Sequence, residues 1–489
     1  MKRINIAILS AALLFGGCSK FFLNEEAESF ITAENLYTNA SGALAGVNAA
    51  YANLKNFRNS GRAMLIGVVG TDESQLGIDE AGVTDRLGLD AYDRNLNALN
   101  PWITQMWRTC YTGIARANAV IENVPGISMD ETLKKRIVAE ASFLRALQYF
   151  WAVQLWGDVP IITKVISDAE KYNYPRKPVS EVYALILSDL SKAESDLPET
   201  YFGNDRGRAT RYAAKALMAK VYLSAPGTLR NYATTETKLR EVIRSNRYQL
   251  LTNFADVFSV TNENNAESLF EVQFLSPDQT NNMSFATGSR AVPDNILGGG
   301  YAWFIPTDYM FNLYEAADTR KPVTFRTQFF NSQGQLITTA SNAEHLKPHV
   351  RKFEDPSASP SSAVGKNTYV LRYADVILMF AEALNEQGKI GEARTELNHI
   401  RSRAKATQSV AITQVQLRDE ILTERMKELS FEGWRWYDLK RTGRLVALAG
   451  QHNPRAAGKV KESNNLFPIP LSEINNNDGI NPEDQNPGY

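Results

Sequence analysis

The sequence predicts a mainly α-helical fold in which paired helices form a scaffold, irregular loops are inserted between them, and strands are few and short. Two observations carry this reading. Apolar residues recur every three or four positions in several long stretches, the spacing that lines one face of a helix. Helices joined by a short glycine turn recur, so that consecutive helices fold back on one another. The composition, 44% hydrophobic and 22% charged, suits a packed globular body.

The elements follow in order. Met1-Lys2-Arg3, the apolar run Ile4 to Phe15 and then Gly16-Gly17-Cys18 have the charge, length and small residues of a secretory leader too short to span a bilayer. A cysteine directly after the cut resembles a bacterial lipobox, so residues 1–17 are expected to be removed and Cys18 acylated. Each buried acyl methylene contributes about 0.8 kcal/mol, and two or three chains would hold the protein on a membrane. After the leader, Leu44, Val47, Tyr51 and Leu54 mark a first helix, and Trp107, Ile114, Ala117 and Ile121 a second. Val138, Ala141, Leu144, Gln148 and Trp151 mark a third, stopped by Gly157 and Pro160. Further helices read over 179–197, 211–223, 235–245, 373–386, 390–404 and 414–431. The Asn/Ser-rich stretch 260–289 and the Ser/Pro/Ala segment 355–365 read as loops.

Within the pair over 373–404, Ile377, Phe380, Ala381, Leu384, Ala393 and Leu397 fall where a tetratricopeptide repeat puts its large and small packing residues. A looser copy reads over 211–245, and a third pair over 104–155. Repeats of this kind make scaffolds that bind and seldom carry chemistry.

Longer signatures stand at both ends. Trp107, Tyr111, Ile114 and Ala117-Asn118 precede Ala139-Glu140-Ala141-Ser142-Phe143-Leu144-Arg145-Ala146, Tyr149-Phe150 and Gly157-Asp158-Val159-Pro160. Toward the C-terminus come Glu424-Arg425, Glu428-Leu429, Glu432-Gly433, Arg435, Asp438-Leu439-Lys440-Arg441, Leu466-Phe467-Pro468-Ile469-Pro470 and a final Gln485-Asn486-Pro487-Gly488-Tyr489. In this order these residues resemble the SusD/RagB family of outer-membrane lipoproteins of Bacteroidetes-type bacteria. The resemblance implies a SusD-like fold over 18–489 as a single domain, with an N-terminal part about 18–225 and a C-terminal part about 226–489. It also implies a lipid-anchored protein of the outer membrane facing the cell exterior, which captures an oligosaccharide and closes as a lid over a SusC-like TonB-dependent barrel. Peptide capture by a RagB-like lid is the alternative, and a glycoside hydrolase a remote one. Family members are not enzymes, and no catalytic residue, metal or cofactor is expected.

The residues agree with that picture. Lys and Arg number 53 against 54 Asp and Glu, so bulk charge draws no nucleic acid. With Cys18 acylated, Cys110 has no disulfide partner, and on a helical pattern it reads as a small buried hydrophobe. The four histidines are His345, His349, His399 and His452. Pro348 interrupts the only pair at i, i+4 spacing, which argues against a metal site. Gly298-Gly299-Gly300 suits a flexible loop and not a phosphate cradle. Asp72-Glu73 and Asp79-Glu80 are adjacent acids of a kind common on solvated loops, although a glycosidase would need two carboxylates across a cleft.

Sugar capture needs flat aromatic faces for the apolar side of a pyranose, flanked by groups that read hydroxyls. The segment Gly298-Gly299-Gly300-Tyr301-Ala302-Trp303-Phe304 sets three aromatics directly after glycines, outside any helical period. Trp303 and Tyr301 are therefore the leading stacking residues. The loops before Trp107 offer Asp72, Arg86, Tyr92, Asn95, Asn97 and Trp102, and of these Tyr92, Asp72, Asn95 and Arg86 complete the expected ligand set. Trp102 and Phe304 read as core, and Asn281 and Asn282 as plain loop. Two or three aromatic contacts at about 0.5–1.5 kcal/mol each leave only weak isolated affinity after association costs. Trp303→Ala is expected to change the melting temperature little.

Overall fold

The computed structural model describes residues 33–58, 62–166, 172–292, 296, 298–355 and 364–489. The expected leader, residues 1–17, and the expected acylation site at Cys18 lie outside the described residues.

The scaffold is a chain of helices, each packed on the next. α1 (Ala40–Arg58) and the short α2 (Arg62–Val68) lead, by way of α3 (Thr84–Ala91), to α4 (Pro101–Asn123), α5 (Glu131–Trp156) and α6 (Val179–Asp196). Then come α7 (Arg211–Ser224), α8 (Tyr232–Arg244), α9 (Tyr373–Glu386), α10 (Ile390–Ala404), α11 (Gln414–Glu428) and α12 (Arg435–Arg441). α1 packs on α4, and the contacts continue α4–α5–α6–α7–α8–α9, with α10 and α11 both on α9. One continuous apolar core runs from Ala50 to Ile469.

α5 is the axis of this body. Every residue from Ile137 to Trp156 is buried, so its few polar side chains must find partners inside. Arg145 meets Asp189 of α6 through two hydrogen bonds of 2.8 and 2.7 Å and bonds Asn118 of α4 at 2.9 Å. Glu140 pairs with Arg208 and Arg136. The Asp130 side chain caps the N-terminus by accepting from the Leu133 N–H at 2.7 Å, and Gly157, at φ +73°, ends the helix where a side chain would be strained.

Helix ends depart from the sequence pattern where a local group intervenes. α8 starts at Tyr232, three residues earlier than the apolar period implies, because Asn231 accepts from the Thr234 N–H at 2.9 Å. α11 stops at Glu428, since Phe431 adopts φ +60° and donates its N–H to the buried Glu73 carboxylate. Within 260–289, read as loop, lie the strand Ser268–Val272 and a short helix Met283–Thr287.

Among the described residues the strands form four two-stranded antiparallel ladders. β1 (Ser74–Gln75) pairs with β5 (Ile305–Pro306), and β2 (Val159–Pro160) with β3 (Arg176–Lys177). β4 (Ser268–Val272) pairs with β8 (Thr368–Arg372), and β6 (Phe325–Arg326) with β7 (His349–Val350).

The C-terminal signature residues form a buried ionic seam. Arg372 bonds Glu428 at 2.6 Å and Glu432 at 2.8 Å, and Arg320 bonds Asp318, Glu424 and Glu428. Arg425 joins Asp375 and Asp438 at 2.9 Å each. Burial opposes the charge on Glu428 and Asp438, yet the surrounding guanidinium groups hold both carboxyls well below the usual range.

Candidate functional site

The β1–β5 ladder joins two loop regions more than two hundred residues apart, pairing Gln75 with Ile305 and Ser74 with Pro306. Near β1, α3 ends at Tyr92 in a left-handed turn, and Asn100 ties the following loop to the start of α4. The Asn100 side chain caps α4 by accepting from Trp102 N–H at 3.0 Å, while its amide donates to Asp85 O at 2.8 Å and Asn95 O at 3.0 Å. This clip sets Trp102 on α4 beside Arg86 on α3. Ahead of β5, the segment 300–303 lies against 285–289: Tyr301 N–H bonds Phe285 O at 2.7 Å and Trp303 N–H bonds Ala286 O at 2.6 Å. A Cβ on Gly300 would stand 2.2 Å from Phe285 O, so only glycine permits this approach.

The two regions meet in a cluster of rings and charges. The Arg86 guanidinium stands 4.9 Å from the Trp303 ring centre and 5.3 Å from that of Trp102. The two indoles meet edge to face at 6.1 Å. Arg290 lies 5.1 Å from the ring of Tyr301, which also meets Phe285 edge to face. Glu80, only 3% exposed, pairs with Arg86 and, at 2.7 Å, with Arg290. Asp79 adds bonds to Arg290 at 3.0 Å and to His345 Nε2 at 2.8 Å. Tyr301 is 43% exposed, and Trp303 is half-buried against the core.

The expected ligand residues therefore separate. Trp303, Tyr301 and Arg86 come together. Tyr92 and Asp72 belong to the interior, which corrects the reading that set them on a ligand loop. Tyr92 is buried and donates its hydroxyl to Gly70 O at 2.9 Å. Asp72 is 0% exposed, with both oxygens on Arg435 at 2.8 and 2.6 Å. Asn95 is half-buried and bonds Asp93 at 3.2 Å. Phe304 is core, and Trp102, though buried, also borders the cluster. Asn281 is buried and bonded to Lys366 O, whereas Asn282 is exposed.

Sequence reasoning set Asp79 and Glu80 down as acids of a solvated loop, weighed His345 only as a metal ligand, and missed Arg290. Glu80 and Arg290 are 210 residues apart, and no local spacing announces their pairing. His345 and His349 fall on a 3₁₀ turn and on β7 and share no helix face. His349 is buried and its ring is pushed down to about 4 by burial.

Rings already held by neighbours lose little rotamer freedom when a ligand stacks on them. The two guanidinium groups are paired with Glu80, and Arg290 also with Asp79, so both carboxylates are held by cations. Fold and site together define a helical binding scaffold with an aromatic–guanidinium surface carried on its loops.

Two family models match the chain: one described as the SusD family over residues 326–489, and one described as starch-binding, associating with the outer membrane, over 61–223. The two matched regions, one toward each end, together support a SusD/RagB family protein. It is similar to a SusD-like protein of Formosa agariphila, 27% identical with each chain fully covered, and to the starch-binding protein SusD of Bacteroides thetaiotaomicron, 27% identical over 77% of this chain and 76% of the other. Among solved structures, a laminarin-binding SusD-like protein superposes with a TM-score of 0.78 at 27% identity, covering 93% of this chain and all of that one.

Proposed function

We propose that this protein is a non-catalytic glycan-binding lipoprotein of the outer membrane, which captures an oligosaccharide at Trp303, Tyr301 and Arg86 and delivers it to a SusC-like TonB-dependent barrel as its lid. The observation that carries the reading is the loop-borne cluster in which Trp303 and Tyr301 are each backed by a guanidinium, with Trp303 half-buried and Tyr301 exposed. The names of the relatives support it, since starch binding and laminarin binding are attached to proteins of this fold. Asp79 and Glu80 favour binding over turnover, because each is tied to a cation. The chain after residue 17 would act as one unit, in line with its continuous core, held to the membrane through acylated Cys18 and facing outward.

Affinity electrophoresis of the purified chain against a polysaccharide panel, with the products analysed afterwards, tests the proposal. Retardation by at least one glycan without any new reducing end is the expected result. Cleavage of the glycan would overturn it, as would no retardation together with peptide binding in calorimetry.

A further inference from the structure

A concavity lies outside the aromatic cluster and shares no lining residue with it. It has a volume of about 800 Å³ and is bounded by the loop 199–210, by Asn246 to Tyr248 and by the approach to β4. A hollow of about 410 Å³ adjoins it across residues 206–208 and reaches α1 at Lys55.

The charges around this groove do not cancel. Glu199 is taken by Arg247 and Arg211, and Arg208 by Glu140 and Asp205. Glu271 is buried, accepts from the Asn264 N–H and the Asn367 amide, and is pushed up by burial toward its neutral form. Two cations remain. Arg206 is exposed and donates to Asn264 O at 2.7 Å but forms no ion pair among the described residues. Lys55 likewise has no carboxylate partner there, and partial burial pushes its ammonium down with nothing to hold it up. At the lip, Phe202 is 80% exposed. A lone exposed ring means little. A ring sharing one groove with the uncompensated Arg206 and the side chains of Thr200 and Asn246, which have no partners among the described residues, and with Lys55 in the adjoining hollow, matches the needs of an acidic sugar: a flat face, hydroxyl readers and a counter-charge.

We propose that this groove is a second saccharide site that takes glycan segments bearing carboxylate or sulfate, with Phe202 stacking on the ring and Arg206 and Lys55 holding the anionic substituent. The sugar class rests on the glycan-binding reading above; the site does not. Such a site would let one chain hold a long acidic polymer at two points.

The test uses the full chain in detergent, run in native gels containing polygalacturonate or chondroitin sulfate, with neutral laminarin as comparison. In a Trp303→Ala background, retardation by at least one acidic polymer should survive, and adding Phe202→Ala or Arg206→Gln should weaken it by about tenfold, as loss of a stacking face or a charge-assisted bond implies. Both positions are exposed, so the variants should keep their melting temperature. The inference is overturned if Trp303→Ala alone abolishes acidic binding. It is also overturned if neither added change alters mobility, or if Arg206→Gln acts while Phe202→Ala does not, since that marks ion exchange alone. Laminarin retardation that persists while acidic polymers fail would sink this inference only; no retardation by any polymer would sink the glycan reading with it.

Discussion

Replacing Trp303 with alanine separates a binding surface from a core residue. The side chain is half-buried, so the change removes an edge-to-face contact with Trp102 and the cation–π contact with Arg86. These contribute about 0.5–1.5 and about 0.5–1 kcal/mol, so the loss is roughly 1–2.5 kcal/mol, against about 3–5 for a fully enclosed tryptophan. Unfolding entropy scales with length, and for a chain this long roughly 1 kcal/mol moves the melting temperature by about one degree. A fall of roughly 1–3 °C is therefore expected, in keeping with the small change expected from sequence. Retardation by a neutral glycan should disappear in the same variant. Calorimetry and affinity electrophoresis on one preparation decide the matter. Unchanged retardation, or a fall of many degrees, would refute the reasoning.

Arg86→Ala should also weaken neutral-glycan retardation, while Glu80 keeps its bond to Arg290; calorimetry should show only a small stability loss, and full retardation would count against Arg86 as a ligand residue. Arg435→Met leaves the fully buried Asp72 carboxylate without its counter-charge and should cost about 3–5 kcal/mol in chemical denaturation, with glycan binding unchanged under native conditions. Glu73→Gln should flatten the pH dependence of stability between pH 5 and 8. Burial pushes the Glu73 carboxyl up to about 8 against the Phe431 N–H and Arg435, so its contribution is complete below the ordinary value of 4.5 and is lost as pH rises toward 8. Melting curves across that range that stay parallel for the two chains would contradict this. Cys18→Ala should move the protein from the membrane to the soluble fraction after cell lysis, and continued membrane retention would argue against the acyl anchor.

The scaffold was legible because it obeys a period. α9 and α10 match the pattern at both ends, and α5 was marked by its apolar residues although it is buried on every side. The signature residues were legible as a pattern but not as physics: Arg425, Glu428, Glu432 and Asp438 read as a string, and only the fold shows that Arg425 pairs with Asp438 while Arg372, from outside the string, neutralises Glu428 and Glu432 inside the protein. The site was half legible. Tyr301 and Trp303 stand out because aromatics follow glycines outside any period, whereas Glu80 and Arg290 meet only through the pairing of β1 with β5. Asp72 misled for a related reason. A carboxylate in a loop sequence reads as exposed, and its partner Arg435 lies 363 residues away.

The most direct test is a crystal structure of the protein soaked with an oligosaccharide that retards it. A pyranose ring lying on Trp303 or Tyr301, with hydroxyls within hydrogen-bond reach of Arg86 or Arg290, is the result the account predicts. A sugar bound elsewhere, with these two rings left bare, would contradict it.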